Sequence, residues 1–522
     1  MLISTPRLQA ADALDDYNVA VALFKQSRWN QAAEQFRGFL KDHEKHEKAP
    51  LARLYLGLAL IESKDFKEAR EVLRKFAAEN RQNPNIGQAR YRIGECSYLM
   101  DDLQTARTEL EAFVRDYPND PLKEHALPYL GDAQLRLNDA VAALKMFDQS
   151  IEKFPSGALI EDAKFGRARS LESLKRFDDA IREFQEIAAK KDGIRAADAQ
   201  FHLGASYFER EQFDDAIEAY TAIAKDFPQS PLVPAAQLNS GFALYKSGRF
   251  RDAAQQFELA AKEKSQQPTA GYWLGRSQKS LGEYSKALES LNVAAKFAAK
   301  QPLAESILFE QALCERYLQR VVEARKLFEQ VISRNPAGDL SDDSLHALIE
   351  MSIDSGDFAS AEQYLTRFPR EFPQSGLRLH IELLSGRLYL ARAGQKLREK
   401  KPTAETSGLY DSAARRFEQV MKQSTISKTK GQARYYLALA RQLQGNQDQA
   451  LELIAPLVEK ALADGEKSDF SDAIVLQADS LYLQQKYDLA SESAAKYLEL
   501  LPKGRQAPRA LSTQALSAER LK

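Results

Sequence analysis

The chain has 522 residues, too many for one ordinary globular core, so several domains or a repeat array are expected. Apolar residues make up 44% and charged residues 28%, a composition that folds and excludes an intrinsically disordered chain. Lys plus Arg number 73 and Asp plus Glu 74, so a net charge of −1 excludes a global pull toward nucleic acid or an anionic membrane.

At the N-terminus Met1, Leu2 and Ile3 precede Ser4, Thr5, Pro6 and Arg7, with no basic region and no sustained apolar core. Residues 1–11 are expected as a frayed segment before the first helix. Ala11-Asp12-Ala13 has the small-x-small form of a cleavage site, so a residual export signal is the alternative reading. From residue 12 onward a repeat dominates. Phe177, Phe213 and Phe250 each open a segment with Ala three positions later and an aromatic residue four beyond that. The Ala recurs as Ala32, Ala69, Ala106, Ala143, Ala180, Ala216, Ala253, Ala287, Ala324, Ala361, Ala413, Ala450 and Ala490. The spacing is 37 at most steps. Twelve residues before most of these stands a small residue: Ala20, Gly57, Gly94, Gly131, Ala168, Gly204, Gly241, Gly275, Ala312, Ala438 and Ala478, with Ile349 breaking the rule. Two antiparallel helices approach closely only where neither presents bulk, so each repeat reads as a helix pair, A then B.

The sixth repeat shows the pattern. Phe201, Leu203, Tyr207 and Phe208 mark helix A; Phe213, Ala216, Ile217, Tyr220, Ile223 and Ala224 form one stripe on helix B. Asp214 and Asp215 favour the start of B, and Pro228 follows its end. No stretch sustains the alternation of a strand. Ala413 comes 27 residues after Gly386 instead of 12, so residues 393–407 are expected as an insertion loop beside an extended helix A, with Lys396, Arg398, Lys400 and Lys401 as a basic edge. The expected division is therefore 12–392 regular repeats, 393–407 insertion, 408–506 remaining repeats, and 507–522 a terminal capping or truncated helix.

Leu203-Gly204, Tyr207, Ala216, Tyr220 and Pro228 resemble the tetratricopeptide pattern at its offsets, and Tyr272, Leu274, Gly275, Tyr284, Ala287 and Leu291 follow it less completely. The resemblance spans essentially the whole chain, with a period of 37 in place of the usual 34. It implies an all-α fold, a right-handed superhelical solenoid of about 13 helix pairs plus a terminal helix. Linkers 117–126 and 227–237 resemble those of bacterial cell-envelope members, such as the Tol–Pal coordinator and the outer-membrane assembly lipoproteins. A periplasmic or envelope location is the corresponding expectation.

Signals for chemistry are weak. His43 and His46 lie close together, but the sequence supplies no third ligand, and no HExxH, phosphate loop or nucleophile elbow occurs. No catalytic residue, metal or cofactor is expected. Cys96 and Cys314 sit at equivalent places, two after the small residue, and read as apolar fillers. No run of apolar residues approaches the roughly 18 of a membrane span. A nucleic-acid reader would need basic patches interleaved with aromatics, and acidic and basic residues alternate instead.

The resemblance implies that helix A lines the concave face. Three residues before the small position stand Tyr17, Tyr91, Phe165, Phe201, Tyr272, Phe309 and Tyr435, and four after it Tyr98 and Tyr245. Arg169, Arg276, Arg316, Glu95, Glu350 and Asp132 are charged neighbours on that face. The aromatic columns suit either an open groove for a partner protein or peptide, or packing between successive A helices. The expected function is a non-catalytic interaction scaffold; the alternative is a structural component that assembles with copies of itself.

Overall fold

The computed structural model describes residues 6–399 and 404–522, with side chains from residue 13 onward. It divides into two compact units, 1–266 and 267–522. The first contains seven helix pairs. They are α1 (Pro6–Lys25) with α2 (Trp29–Asp42), α3 (Ala49–Glu62) with α4 (Phe66–Glu79), α5 (Ile86–Leu99) with α6 (Leu103–Asp116), and α7 (Lys123–Arg136) with α8 (Ala140–Lys153). After them come α9 (Ile160–Ser173) with α10 (Phe177–Ala188), α11 (Ala196–Glu209) with α12 (Phe213–Asp226), and α13 (Val233–Lys246) with α14 (Phe250–Ala260). The second unit contains α15 (Gln267–Ser280) with α16 (Tyr284–Ala298), α17 (Leu303–Tyr317) with α18 (Val321–Arg334), and α19 (Asp339–Asp354) with α20 (Phe358–Glu371). It continues with α21 (Arg378–Arg398) and α22 (Ala404–Gln423), α23 (Ser427–Leu443) and α24 (Gln447–Asp464), α25 (Asp472–Leu483) and α26 (Tyr487–Leu500), and a single α27 (Ala507–Arg520). No strand occurs among the described residues.

All thirteen repeat alanines are fully buried. They let the two helices of a pair close up, and the side chain four residues later fills the hole left by the small residue of helix A. A Cβ on Gly57 would meet Leu73, on Gly94 Leu110, on Gly131 Phe147, on Gly204 Tyr220, on Gly241 Phe257 and on Gly275 Leu291. Each partner lies 16 positions on, so in these six pairs one knob enters one hole. Within each unit the A helices also touch the A helix of the next pair. Helix B starts are capped where the sequence allows: Asp65, Asp139 and Asp357 accept from the backbone N–H three residues on, at 3.2, 3.1 and 3.2 Å.

The A-to-B turn is equally regular. Seven residues after the small position the backbone turns left-handed, at Ser27, Lys64, Asp101, Asn138, Lys175, Glu211, Gly248, Gly282, Gln319, Gly356, Gly445 and Gln485. The eleventh pair has no such residue: Ala393 occupies the place, is helical and fully buried, and α21 runs on to Arg398. The segment 393–407 expected as a loop is thus helical at 393–398 and 404–407, extending both helices of its pair. The knob contact survives the insertion, because a Cβ on Gly386 would lie 2.7 Å from Cζ of Phe417, on the neighbouring helix. At the other end, helix α1 begins at Pro6, within the stretch expected to be frayed; Pro suits a first helical position because its missing N–H has no acceptor there.

Candidate binding site on the A-helix face

Most rings of the predicted column are packing. Tyr17 is tilted against Phe39 at 5.7 Å and set edge-on to Phe36 at 6.3 Å. Phe165 meets Phe184 at 6.0 Å, Phe201 meets Tyr220 at 5.6 Å and Phe309 meets Phe328 at 5.8 Å. In each case the ring of helix A rests on the knob of its own helix B. Tyr91 is 1% exposed, packs on Phe113 at 5.7 Å and donates to Glu95 at 2.9 Å. Burial, then the Glu95 carboxylate, raises its pKa. Tyr272 is buried beside Trp273 and under the Arg276 guanidinium. Tyr245 is half-buried against Phe250, and Tyr435 half-buried against Tyr436, its pKa pushed up to about 12 by burial first and Asp472 second. A continuous open aromatic groove is therefore not what these residues build. A ring at this position gains more by covering the adjacent knob than by facing water.

On the predicted basic edge, Lys396 pairs with Glu405 at 2.5 Å and ties the two extended helices together, while Arg398 is exposed. Lys400 and Lys401 lie outside the described residues. His43 and His46 both pack on the ring of Phe39, at 5.5 and 5.6 Å.

The exception to the packed column lies in the fourth pair. There the column position, three before Gly131, is Pro128, in the interior of α7. Proline removes a helix hydrogen bond and fills far less space than Tyr or Phe. A cavity of about 310 Å³ opens beside it, bounded by α5, α7, α9 and the start of α11. Tyr98 and Phe165, both predicted, stand in its wall, with Tyr129, Asp132, Asp162 and Arg195. Tyr98 stacks on Tyr129 at 4.7 Å and donates to Asp132 at 2.8 Å. Burial and the Asp132 carboxylate raise the Tyr98 phenol well above its usual range, so it stays a donor. Arg195 donates to Asp162 at 2.7 Å, lies 3.5 Å from Asp198 and covers the Phe165 ring at 5.4 Å. Burial alone would lower the Arg195 pKa, but its carboxylate partners outweigh that and raise it.

Arg169 also lines the cavity, one turn after Phe165 on α9. Its Nε is shielded from solvent and has no hydrogen-bond partner among the described residues. Of the predicted residues, then, the structure brings Tyr98, Phe165, Arg169 and Asp132 together, and scatters the rest among separate pair interfaces. Sequence reasoning missed Pro128, Tyr129, Asp162 and Arg195. The signal for the first was legible: a proline in mid-helix, at a column position otherwise filled by a large side chain.

The repeat geometry has a counterpart in sequence comparison. Family models described as tetratricopeptide repeat match residues 17–85, 129–193, 165–231 and 238–302, further repeats at 88–120 and 307–337, and one at 431–456. The chain belongs to the tetratricopeptide-repeat family. No curated protein matches it over its sequence. Among solved structures, this tetratricopeptide-repeat chain is similar to the APC/C hetero-tetramer Cut9–Hcn1, at 14% identity, 94% coverage of both chains and a TM-score of 0.37. A tetratricopeptide repeat protein from Parabacteroides merdae is 13% identical, covering 52% of this chain and 99% of its own, at a TM-score of 0.37. Yeast Tom70 is 16% identical, covering 94% of this chain and 99% of its own, at a TM-score of 0.35. Likenesses this loose carry nothing about partner or role. Tetratricopeptide-repeat proteins are in general protein-interaction scaffolds.

Proposed function

We propose that this chain is a non-catalytic scaffold that binds a partner protein or peptide on its A-helix face, centred on the cavity beside Pro128. The observation that carries the reading is the cavity itself: ring walls with an arginine whose shielded Nε has no acceptor, at the place where the packed column is interrupted. Binding sites are concave and carry a few converging polar groups; this cavity is concave, with rings and charged side chains mixed in its wall. The non-catalytic part of the reading is supported by the thiols, since Cys96 and Cys314 are buried and burial first, with nearby glutamates, pushes both up to about 12. A thiol so placed is a poor nucleophile at neutral pH.

The test is selection of peptides from a random display library on the immobilised full chain. Enriched peptides that displace one another, and that bind the Tyr98→Ala variant at least tenfold more weakly, support the reading. A library that enriches nothing beyond a bare surface overturns it.

Self-assembly is the second reading, favoured by α27. Its Leu511 and Leu516 are 55% and 44% exposed, and Ala515, 37 residues after Ala478, is exposed as well. Sedimentation of the chain across micromolar concentrations decides it: a single monomeric species removes the reading.

A further inference from the structure

We propose that the cavity beside Pro128 is an anchor pocket for a peptide segment in which a bulky apolar side chain neighbours an acidic one. The apolar side chain enters between the Tyr98–Tyr129 stack and Phe165, and the carboxylate meets Arg169. This rests on the reading of the A-helix face as a binding surface and names the chemistry of what it takes.

Size comes first. The volume, about 310 Å³, lies at the small end of ligand pockets, which run from about 300 to 1,000 Å³. That is room for one large side chain, with the rest of the ligand left outside on the helices. The walls suit a ring or a branched aliphatic group: Pro128, Leu135, Phe147, Leu159 and the rings of Tyr129 and Phe165.

Charge decides the rest. Four charged side chains line the cavity. Asp132 accepts from the Tyr98 hydroxyl and lies 3.8 Å from Arg136. Asp162 holds Arg195, and Arg195 is further engaged by Asp198 and the Phe165 ring. Both aspartates are thus committed within the fold. Arg169 has no ion pair or hydrogen bond among the described residues, and its Nε is out of reach of water. A shielded N–H without an acceptor is costly, and a carboxylate is the acceptor that a half-buried guanidinium binds best. Phe165 and Arg169 stand four apart on α9, so ring and guanidinium share one face. A ligand meeting both must carry its apolar and acidic groups close together.

The backbone points the same way. Proline in a helix interior is expensive, and its place in the column is elsewhere taken by Tyr, Phe, Leu, His or Val. Local rules are broken most often where function compensates.

The experiment uses three labelled, N-acetylated and C-amidated peptides with a Gly-Ser flank on each side: Glu-Phe, Gln-Phe and Glu-Ala at the centre. Fluorescence anisotropy is read on the full chain and on its Arg169→Gln and Pro128→Tyr variants, with helicity checked by circular dichroism. Glu-Phe is expected to bind about tenfold more tightly than Gln-Phe, and Glu-Ala to bind least. Arg169→Gln should abolish the preference for Glu-Phe over Gln-Phe. Pro128→Tyr, which restores the ring found in other repeats, should exclude both phenylalanine peptides. Equal binding of Glu-Phe and Gln-Phe, or a preference that survives Arg169→Gln, overturns the proposal. Display-selected peptides that depend on Tyr98 but ignore Arg169 and Pro128 overturn the anchor pocket and leave the binding face standing. Failure of both the probes and the selection removes both.

Discussion

Replacing Gly241 by Ala isolates the packing rule on which the repeats depend. The new methyl would lie 2.6 Å from Cε1, 2.7 Å from Cδ1 and 2.9 Å from Cζ of Phe257, where carbon contacts prefer about 3.5–4.0 Å. Phe257 is fully buried and its ring packs on Phe242 at 5.4 Å, so relief requires moving a rigid ring through filled space. Overpacking of this kind costs about 1–3 kcal/mol. Ala in place of Gly returns about 1 kcal/mol of helix propensity. The net expectation is a loss of about 1 kcal/mol, with the ceiling near 2. Two companion variants separate the terms. Gly38→Ala, in α2 with nothing within 4 Å of the added atom, keeps only the propensity gain and should stabilise by up to about 1 kcal/mol. Gly94→Ala meets Cδ2 and Cγ of the fully buried Leu110 at 2.7 and 2.8 Å, so it should show the same overpacking loss against an aliphatic knob. Urea unfolding with amide hydrogen exchange resolved to α13 and α14 reads the effect locally. If Gly241→Ala stabilises as Gly38→Ala does, the small position is not a packing requirement and the knob-and-hole account fails.

Lys64→Gly should stabilise by about 1 kcal/mol, because Lys64 is exposed and holds a φ of 65° that glycine adopts without strain; a lowered melting temperature would contradict this. Cys96 and Cys314, with thiols at about 12, should resist alkylation at pH 8 in the native chain and react once it unfolds, since an unfolded thiol ionises near pH 8.5; rapid native labelling would refute their burial. His346 has its pKa lowered by burial, with His380, Arg316 and Arg387 acting the same way and Glu350 opposing. Its neutral form therefore belongs to the fold: the stabilisation is present above the unfolded value near 6.5 and is lost as pH falls through the lower folded value. Acidification should destabilise residues 267–522 less in His346→Leu than in the parent, read by thermal melts at pH 7 and pH 5. Unfolding of the whole chain should proceed in more than one step, as expected of repeats that contact only their neighbours and of two compact units; one sharp transition shared by every probe would oppose it.

The repeat was legible because its causes are local and recur. A small residue, an alanine twelve later and a bulky side chain four beyond that encode a close approach of two helices, and an alanine that recurs thirteen times outweighs the single departures. The left-handed turn seven residues after the small position was harder to read, because eight of its twelve occupants are not glycine and nothing in their types announces the conformation. The insertion was read as a surface loop beside an extended helix A, and α21 does run on to Arg398, while the early start of α22 at Ala404 was not read. Ala393 stands where the turn should be and simply lets the helix continue.

The site divides along the same line. Sequence named Tyr98, Phe165, Arg169 and Asp132 as neighbours on one face, since register along a helix follows from spacing alone. It left open whether the rings lined a groove or filled a seam. That depended on what stood opposite each ring, and only packing supplies the answer: Phe36, Phe184, Tyr220 and Phe328 lie under the column rings, whereas Pro128 leaves a gap. Fold class, repeat length and helix faces were thus written in the order of residues, because each is set within one helix pair. The cavity, its committed aspartates and its unpartnered arginine were decided by tertiary structure, because they arise where side chains from four successive repeats meet.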